Sequence, residues 1–190
     1  MNWNIPNTLT LLRIILIPVF VLVFYAPFGW SNLLSTAIFG LAALTDWLDG
    51  YLARRLRQSS VFGAFLDPVA DKLMVAVTLV VLVQDNPAAL FAIPSAIIVG
   101  REIAISALRE WMSEIGERAT VAVSIIGKIK TTAQMVAILL LLYKTPLGVF
   151  PTHVVGLILL YVAAILTLWS MIVYLKAAWP ILTGNSTSNQ

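Results

Sequence analysis

Six long apolar segments constrain this chain more than any other feature of its sequence. They lie at about 9–26, 33–53, 64–84, 88–108, 124–143 and 154–175. Each approaches the roughly 20 residues that an α-helix needs to cross about 30 Å of hydrocarbon. Turn-forming or charged residues separate them, for example at Pro27–Gly29 and Asp85–Pro87. We therefore predict an all-α, polytopic membrane protein with six transmembrane helices, forming a single six-helix domain over residues 1–182 with a disordered tail over 183–190.

The composition supports this class and excludes others. Hydrophobic residues make up 60% of the chain and charged residues only 11%, whereas a soluble domain carries about 25% charged residues. A soluble enzyme and a disordered chain are therefore excluded. The absence of cysteine excludes a disulfide framework, a thiolate metal site and a cysteine nucleophile. The net charge of +3 does not indicate nucleic-acid binding, because the basic residues are spread along the membrane segments.

The basic residues nevertheless favour one side of the predicted bundle. Arg54, Arg55 and Arg57 lie in the second loop and Lys176 follows the last segment, while Lys144 is the clear loop cation on the other side. Basic residues accumulate in cytoplasmic loops of membrane proteins. We therefore expect both termini, and the polar side chains at this end of the bundle, to face the cytoplasm.

Four of the nine acidic residues lie close together, at the predicted cytoplasmic ends of the second and third segments: Asp46, Asp49, Asp67 and Asp71. A charge deep in a bilayer costs roughly 2.5–3.5 kcal/mol on insertion scales. Residues three or four apart share one face of a helix, so each segment presents a pair of carboxylates. The short polar link between the segments lets them fold antiparallel and bring the pairs face to face. A bound cation is the simplest explanation for this arrangement.

The chemistry of the ligands indicates which cation. Carboxylate oxygens without cysteine or a nearby histidine suit hard ions such as Mg²⁺ or Mn²⁺, and four carboxylates can hold two ions. Gly50, Ala53 and Gly63 leave room for a ligand, and Arg54 is placed to pair with a phosphate. Two alternatives stay open: carboxylates bonded to one another and to helix ends, and a proton or ion pathway. A transporter would need a polar path to the far side, where the segments are nearly uncharged.

The spacing of these residues resembles a known signature. The pattern Asp46-x2-Asp49-Gly50-x2-Ala53-Arg54-x8-Gly63-x3-Asp67-x3-Asp71 is similar, without departure, to that of the CDP-alcohol phosphotransferase family. The resemblance implies a six-helix membrane enzyme of that fold, often a homodimer, that uses two metal ions to cleave a CDP-linked substrate and release CMP. It implies that Asp46, Asp49, Asp67 and Asp71 bind the metal ions and that Asp71 is also the general base. It further implies that Gly50, Ala53, Arg54 and Gly63 contact the CDP head group.

The flanking segments resemble one branch of the family. Four segments, Asn4–Arg13, Gly100–Ile103, Leu108–Trp111 and Gly127–Gln134, are similar to members that transfer the phosphatidyl group of CDP-diacylglycerol to sn-glycerol 3-phosphate. The implied products are phosphatidylglycerol phosphate and CMP, made at the bacterial inner membrane in phospholipid biosynthesis. Serine, inositol phosphate and phosphatidylglycerol are the alternative acceptors.

A glycerol 3-phosphate acceptor accounts for the cations near the cytoplasmic end, because its dianionic phosphate requires Arg or Lys. We predict a pocket formed by Thr10, Arg13, Arg101, Arg109, Lys128 and Lys130. The alternative for these cations is a role as topology anchors. Lys128 and Lys130 are two residues apart, so a regular helix directs them to different sides. Arg101 and its neighbour Glu102 can also form an ion pair within the membrane.

Overall fold

The computed structural model describes residues 5–56, 61–115, 125–146 and 148–183, and it contains no strand within these ranges. Six helices follow one another along the chain: α1 Ile5–Phe24, α2 Ser31–Leu56, α3 Val61–Asp85, α4 Ala89–Glu114, α5 Ile125–Tyr143 and α6 Thr152–Leu182. Each predicted apolar segment coincides with one of these helices. The all-α prediction is therefore confirmed.

Among the residues that the structure describes, two helices meet the requirements for a membrane span by length and composition alone. They are α4, with 26 residues, and α6, with 31 residues; Thr8–Phe24 of α1 forms a shorter apolar helix. Both α4 and α6 continue about one to two turns beyond the apolar segments, through residues such as Glu110 and Lys176 that favour helix. Membrane crossing by all six helices stays a prediction, as does the single domain over 1–182. The predicted tail over 183–190 lies almost wholly outside the described residues.

A continuous apolar core joins all six helices. Its fully buried members include Phe20, Phe39, Leu79, Ile98 and Leu160, and α5 contributes Ile138, Leu141 and Leu142. Helix α1 packs against α2 and α3, α5 packs against α2 and α6, and α4 packs against α3 and α6. This packing places the acidic helices α2 and α3 and the cation-bearing helices α4 and α5 around the same bundle.

A glycine allows α5 and α6 to approach closely. A Cβ atom at Gly156 would lie 3.0 Å from Leu141 Cγ and 3.1 Å from Leu140 Cβ, which is too close for a larger residue without a shift of the neighbours. Small residues at helix interfaces allow such close packing in membrane proteins. The contact fixes one end of α5 against α6, and the other end of α5 carries Lys130.

At the end of the bundle away from the four aspartates, a lysine and an aspartate form an ion pair. Lys144 directly follows α5 and has a φ of 59°. Its Nζ lies 2.7 Å from Asp85 Oδ2 and 5.0 Å from the centre of the Phe24 ring. Beside it, Tyr25 Oη donates a hydrogen bond of 2.9 Å to Gln84 Oε1. These contacts join the ends of α1, α3 and α5. The more highly charged end of α3, which carries Asp71, is about 20 Å away along the helix axis.

Candidate active site

One arginine brings three helices together at the acidic end of the bundle. Arg13 of α1 donates from Nη1 to Asp46 Oδ1 of α2 at 2.9 Å and to Asp71 Oδ1 of α3 at 2.8 Å. The arginine side chain is 1% exposed, whereas those of Asp46 and Asp71 are 35% and 41% exposed. Buried Thr10 lies one turn before Arg13 on α1. The cation is thus on the inner side of the two carboxylates, and the carboxylates border the surface.

The two described carboxylates fit the predicted metal site. Their Oδ1 atoms both accept a hydrogen bond from the same nitrogen, so they lie close together, and oxygen donors suit a hard divalent ion. The side chains of Asp49 and Asp67 lie outside the described residues, and the described side chains alone contain no cluster of three metal-ligating groups. The four-carboxylate metal set therefore stays a prediction. So do the CDP contacts predicted for Gly50, Ala53, Arg54 and Gly63, which lie outside the described side chains.

A second polar group, which we call the basic cluster, joins α4, α5 and α6 and consists of Arg101, Glu102, Lys130 and Ser170. Glu102 Oε1 accepts hydrogen bonds from Arg101 Nη1 at 2.8 Å and from Lys130 Nζ at 2.9 Å. Arg101 Nη2 donates to Ser170 Oγ at 3.1 Å. The Arg101–Glu102 ion pair expected from the sequence is therefore confirmed.

A short chain of hydrogen bonds connects the acidic end of α3 with the basic cluster. Lys72, which directly follows Asp71, donates from Nζ to Ser106 Oγ of α4. Ser106 Oγ in turn donates to the carbonyl oxygen of Glu102 at 2.5 Å. Lys72 and Ser106 thus link the turn of α3 that carries Asp71 to the turn of α4 that carries Glu102.

The structure separates the six residues predicted for the acceptor pocket. Arg101 and Lys130 lie together in the basic cluster, and Lys130 is buried while Lys128 is exposed, as their spacing predicted. Arg13 instead contacts the carboxylates, and Thr10 lies near it on α1. Arg109 Nε donates to Tyr174 Oη at 3.2 Å, with its guanidinium 5.1 Å from the centre of the same ring.

Sequence reasoning missed two features of this site. Arg13 was assigned to the acceptor pocket and not recognised as the partner of Asp46 and Asp71. A single arginine within the first apolar segment was the available signal, because a charge at that position requires a counter-charge. Lys72 and Ser106 were not singled out. Their roles follow from the α3–α4 contact, for which the sequence contains no local signal.

The arrangement can hold two anionic groups. Carboxylates that bind divalent ions can receive a diphosphate through those ions. Lysine and arginine side chains bind a phosphate directly through charge-assisted hydrogen bonds. With divalent ions bound, the Asp46–Asp71 pair would offer the first mode, and Arg101 and Lys130 offer the second from the other end of the Lys72–Ser106 link.

The comparison with known proteins agrees with this geometry. A sequence model of the CDP-alcohol phosphatidyltransferase family matches residues 3–169. Proteins from Salmonella typhimurium strain LT2 and Escherichia coli strain K12 are each 56% identical over 178 residues, which cover 94% of this chain and 96% of the relative. A protein from Salmonella choleraesuis is 55% identical over the same length. All three are named CDP-diacylglycerol--glycerol-3-phosphate 3-phosphatidyltransferase. With its carboxylate pair on α2 and α3 inside the matched region, the chain belongs to the CDP-alcohol phosphatidyltransferase family.

Proposed function

We propose that this chain transfers the phosphatidyl group of CDP-diacylglycerol to sn-glycerol 3-phosphate, giving phosphatidylglycerol phosphate and CMP. The observation that carries the proposal is the meeting of two cations, Arg101 and Lys130, at Glu102, on the helix whose Ser106 is hydrogen-bonded to Lys72, the residue after Asp71. The relatives that are 56% identical over 94% of the chain carry the name of this activity.

The donor occupies the acidic side of the site in this proposal. Its acyl chains stay in the bilayer, and its CDP head group reaches the carboxylates past Gly50, Ala53, Arg54 and Gly63. Asp46, Asp49, Asp67 and Asp71 would hold two divalent ions, Mg²⁺ or Mn²⁺. When bound, such ions would neutralise the negative charge of the diphosphate and of the departing CMP. Arg13 lies on the buried side of the two carboxylates and holds Asp46 and Asp71 next to each other.

The acceptor occupies the basic side. Arg101 and Lys130 bind the phosphate of glycerol 3-phosphate, and the C1 hydroxyl points toward Asp71. Asp71 takes the proton of that hydroxyl. The oxygen then forms a bond to the phosphorus that carries diacylglycerol, while the bond from this phosphorus to the CMP oxygen breaks. A single displacement suffices, because the eight signature positions offer no Ser, His or Cys as a nucleophile.

The setting of the reaction is part of the proposal. We place the enzyme in the bacterial inner membrane as a homodimer with six spans, both termini and the site facing the cytoplasm. This orientation gives the site access to soluble glycerol 3-phosphate and to the lipid donor from the inner leaflet. The apolar helices α4 and α6 support the membrane setting, and the greater number of basic residues at the acidic end of the bundle supports the orientation.

CMP release by the purified protein in detergent tests the reaction and the acceptor. CDP-diacylglycerol and Mg²⁺ are supplied with glycerol 3-phosphate, serine, inositol phosphate or phosphatidylglycerol in separate reactions. We expect release with glycerol 3-phosphate and its abolition by EDTA. Release with serine would overturn the assignment of the basic cluster to an acceptor phosphate, release with inositol phosphate or phosphatidylglycerol would overturn the choice of glycerol 3-phosphate, and release that survives EDTA would overturn the metal requirement.

The base is tested by Asp71→Asn, with Asp85→Asn at the other end of α3 as the matched control. Removing a general base lowers turnover by about 10²–10⁴-fold. We expect a loss of this size for Asp71→Asn, with CDP-diacylglycerol still bound, and near-normal turnover for Asp85→Asn. Full activity of Asp71→Asn would refute the assignment.

A further inference from the structure

We propose that Glu102 is a positioning residue that presents Arg101 and Lys130 to the phosphate of the acceptor and thereby favours phosphorylated acceptors. This inference rests on the proposed function and adds an acidic residue to a site for an anion. None of the sequence patterns discussed above predicts such a role.

The two cations of the basic cluster meet at one oxygen of Glu102. One oxygen, Glu102 Oε1, accepts hydrogen bonds from Arg101 Nη1 at 2.8 Å and from Lys130 Nζ at 2.9 Å. The two donors come from different helices, α4 and α5, and meet at a single atom. Nitrogens that meet at one carboxylate oxygen are close enough to contact the oxygens of one phosphate. Glu102 therefore holds the donors in an arrangement that an incoming phosphate can use.

Glu102 also restricts the side chain of Lys130 and offsets the repulsion between Lys130 and Arg101. Lysine has a long side chain with many rotamers, but Lys130 is only 7% exposed and is held by Glu102. Two cations this close repel each other, and the carboxylate between them offsets that repulsion. The three residues together keep a formal charge of +1, so the cluster still attracts an anion.

Both cations keep free N–H donors after their hydrogen bonds to Glu102 are made. A lysine ammonium has three N–H donors and an arginine guanidinium has five. Arg101 Nε is buried and lacks a hydrogen-bond partner within the described part of the chain. The carboxylate thus orients the two cations without exhausting them.

The backbone of Glu102 is linked by hydrogen bonds to the end of α3 that carries Asp71. Its carbonyl oxygen accepts from Ser106 Oγ, and Ser106 accepts from Lys72, the residue after Asp71. The Lys72–Ser106 hydrogen bond therefore links α4, one turn after Glu102, to α3 next to the proposed base. Within this proposal, the link limits movement of the basic cluster relative to Asp71 while the acceptor phosphate is bound.

The test compares Glu102→Gln with Glu102→Asp, using Glu114→Gln, an exposed position on the same helix, as the matched control. We expect Glu102→Gln to raise the KM for glycerol 3-phosphate about tenfold, the effect of losing one charge-assisted hydrogen bond. The KM for CDP-diacylglycerol should stay near the wild-type value. Glu102→Asp keeps the charge and should show a smaller rise, and Glu114→Gln should match the wild type.

A double-mutant cycle tests whether Glu102 acts through Lys130. Residues that act as a unit give non-additive effects. In a Lys130→Met background, Glu102→Gln should therefore raise the KM for glycerol 3-phosphate clearly less than tenfold, because only its effect through Arg101 remains. A full tenfold effect in that background would overturn the proposed role.

The remaining outcomes separate this inference from the proposed function. Equal changes in both KM values together with a lowered Tm would show a merely structural role and overturn the inference. Unchanged kinetics of Glu102→Gln in an active enzyme would overturn it as well, while leaving the proposed function intact. Absence of CMP release by the folded wild type with glycerol 3-phosphate would refute the proposed function itself. If Glu102→Gln is not recovered folded, Glu102→Asp decides: a raised KM for glycerol 3-phosphate supports the role, and an unchanged KM overturns it.

Discussion

At the scale of single residues, Arg13 determines how two carboxylates can lie together at the edge of an apolar bundle. It is almost fully buried and contacts Asp46 and Asp71 through one nitrogen. Two unit charges about 4 Å apart interact by about 4 kcal/mol at an effective dielectric constant of 20. Arg13 therefore stabilises the pair against its own repulsion, a task that the proposed metal ions would share.

This division of charge leads to a prediction for Arg13→Met. Without the guanidinium, the carboxylates carry more uncompensated charge and should bind Mg²⁺ more tightly. We expect the Mg²⁺ concentration for half-maximal thermal stabilisation to fall at least about tenfold, equivalent to about 1.4 kcal/mol. The measurement is the Tm in detergent over a Mg²⁺ titration.

The control for Arg13→Met is Arg109→Met, since Arg109 is a helical arginine whose described contact is Tyr174 and not a carboxylate. Its Mg²⁺ titration should follow the wild type. Identical titrations for Arg13→Met and wild type would contradict the idea that Arg13 and the metal ions compensate the same charges.

The residue scale also shows what a sequence can predict about such a site. The Asp46–Asp71 proximity was predicted from helical spacing and a short connection, and the structure confirms it for this pair. The opposite burial of Lys128 and Lys130 followed from the same periodicity. The partner of Arg13 could not be predicted in this way, because it depends on how α1 packs across α2 and α3, which local spacing does not specify.

At the scale of helices, α4 is the element that connects the site. Its polar side chains reach α3 through Ser106, α5 through Glu102, and α6 through Arg101 and Arg109. The existence of α4 was predicted from its apolar run at about 88–108, and the helix continues beyond that run to Glu114. Hydropathy ends where charged residues begin, whereas a helix continues through charged residues that favour helix.

The role of α4 predicts the effect of Ser106→Ala. This variant removes the acceptor of the Lys72 hydrogen bond and the donor to the Glu102 carbonyl. A hydrogen bond to a charged group contributes about 1.5–3 kcal/mol, and each kcal/mol corresponds to roughly 2–4 °C for a chain of this size. We expect a Tm lowered by several degrees in detergent and a raised KM for the acceptor.

Thr36→Ala provides the comparison for Ser106→Ala, because the Thr36 hydroxyl donates to the Asn32 carbonyl oxygen within its own helix. It should change the Tm by about a degree or less. An equally small change for Ser106→Ala would mean that the Lys72–Ser106 hydrogen bond contributes nothing measurable to the packing of α3 against α4.

At the scale of the whole molecule, the charges are distributed unequally between the two ends of the bundle. Lys144 and Asp85 neutralise each other at one end, whereas Arg101, Arg109 and Lys130 lie toward the other. Basic residues stay on the cytoplasmic side during membrane insertion. If all six helices cross, the 144–151 connection therefore lies outside the cytoplasm, and the end of α4 lies within it.

The lack of native cysteine makes this orientation directly measurable with single-cysteine variants and a membrane-impermeant maleimide. Val149→Cys replaces a fully exposed residue between α5 and α6 and should be labelled in intact cells whose outer membrane has been permeabilised. Glu114→Cys, at the opposite end of the bundle, should be labelled only after the inner membrane is disrupted. One crossing separates Glu114 from Val149, so these two residues lie on opposite sides of the membrane. Two crossings separate Glu114 from Thr183, so these two lie on the same side. Labelling of Glu114→Cys but not Val149→Cys before disruption would invert the bundle. The site would then face away from cytoplasmic glycerol 3-phosphate, and the proposed reaction could not draw on that substrate.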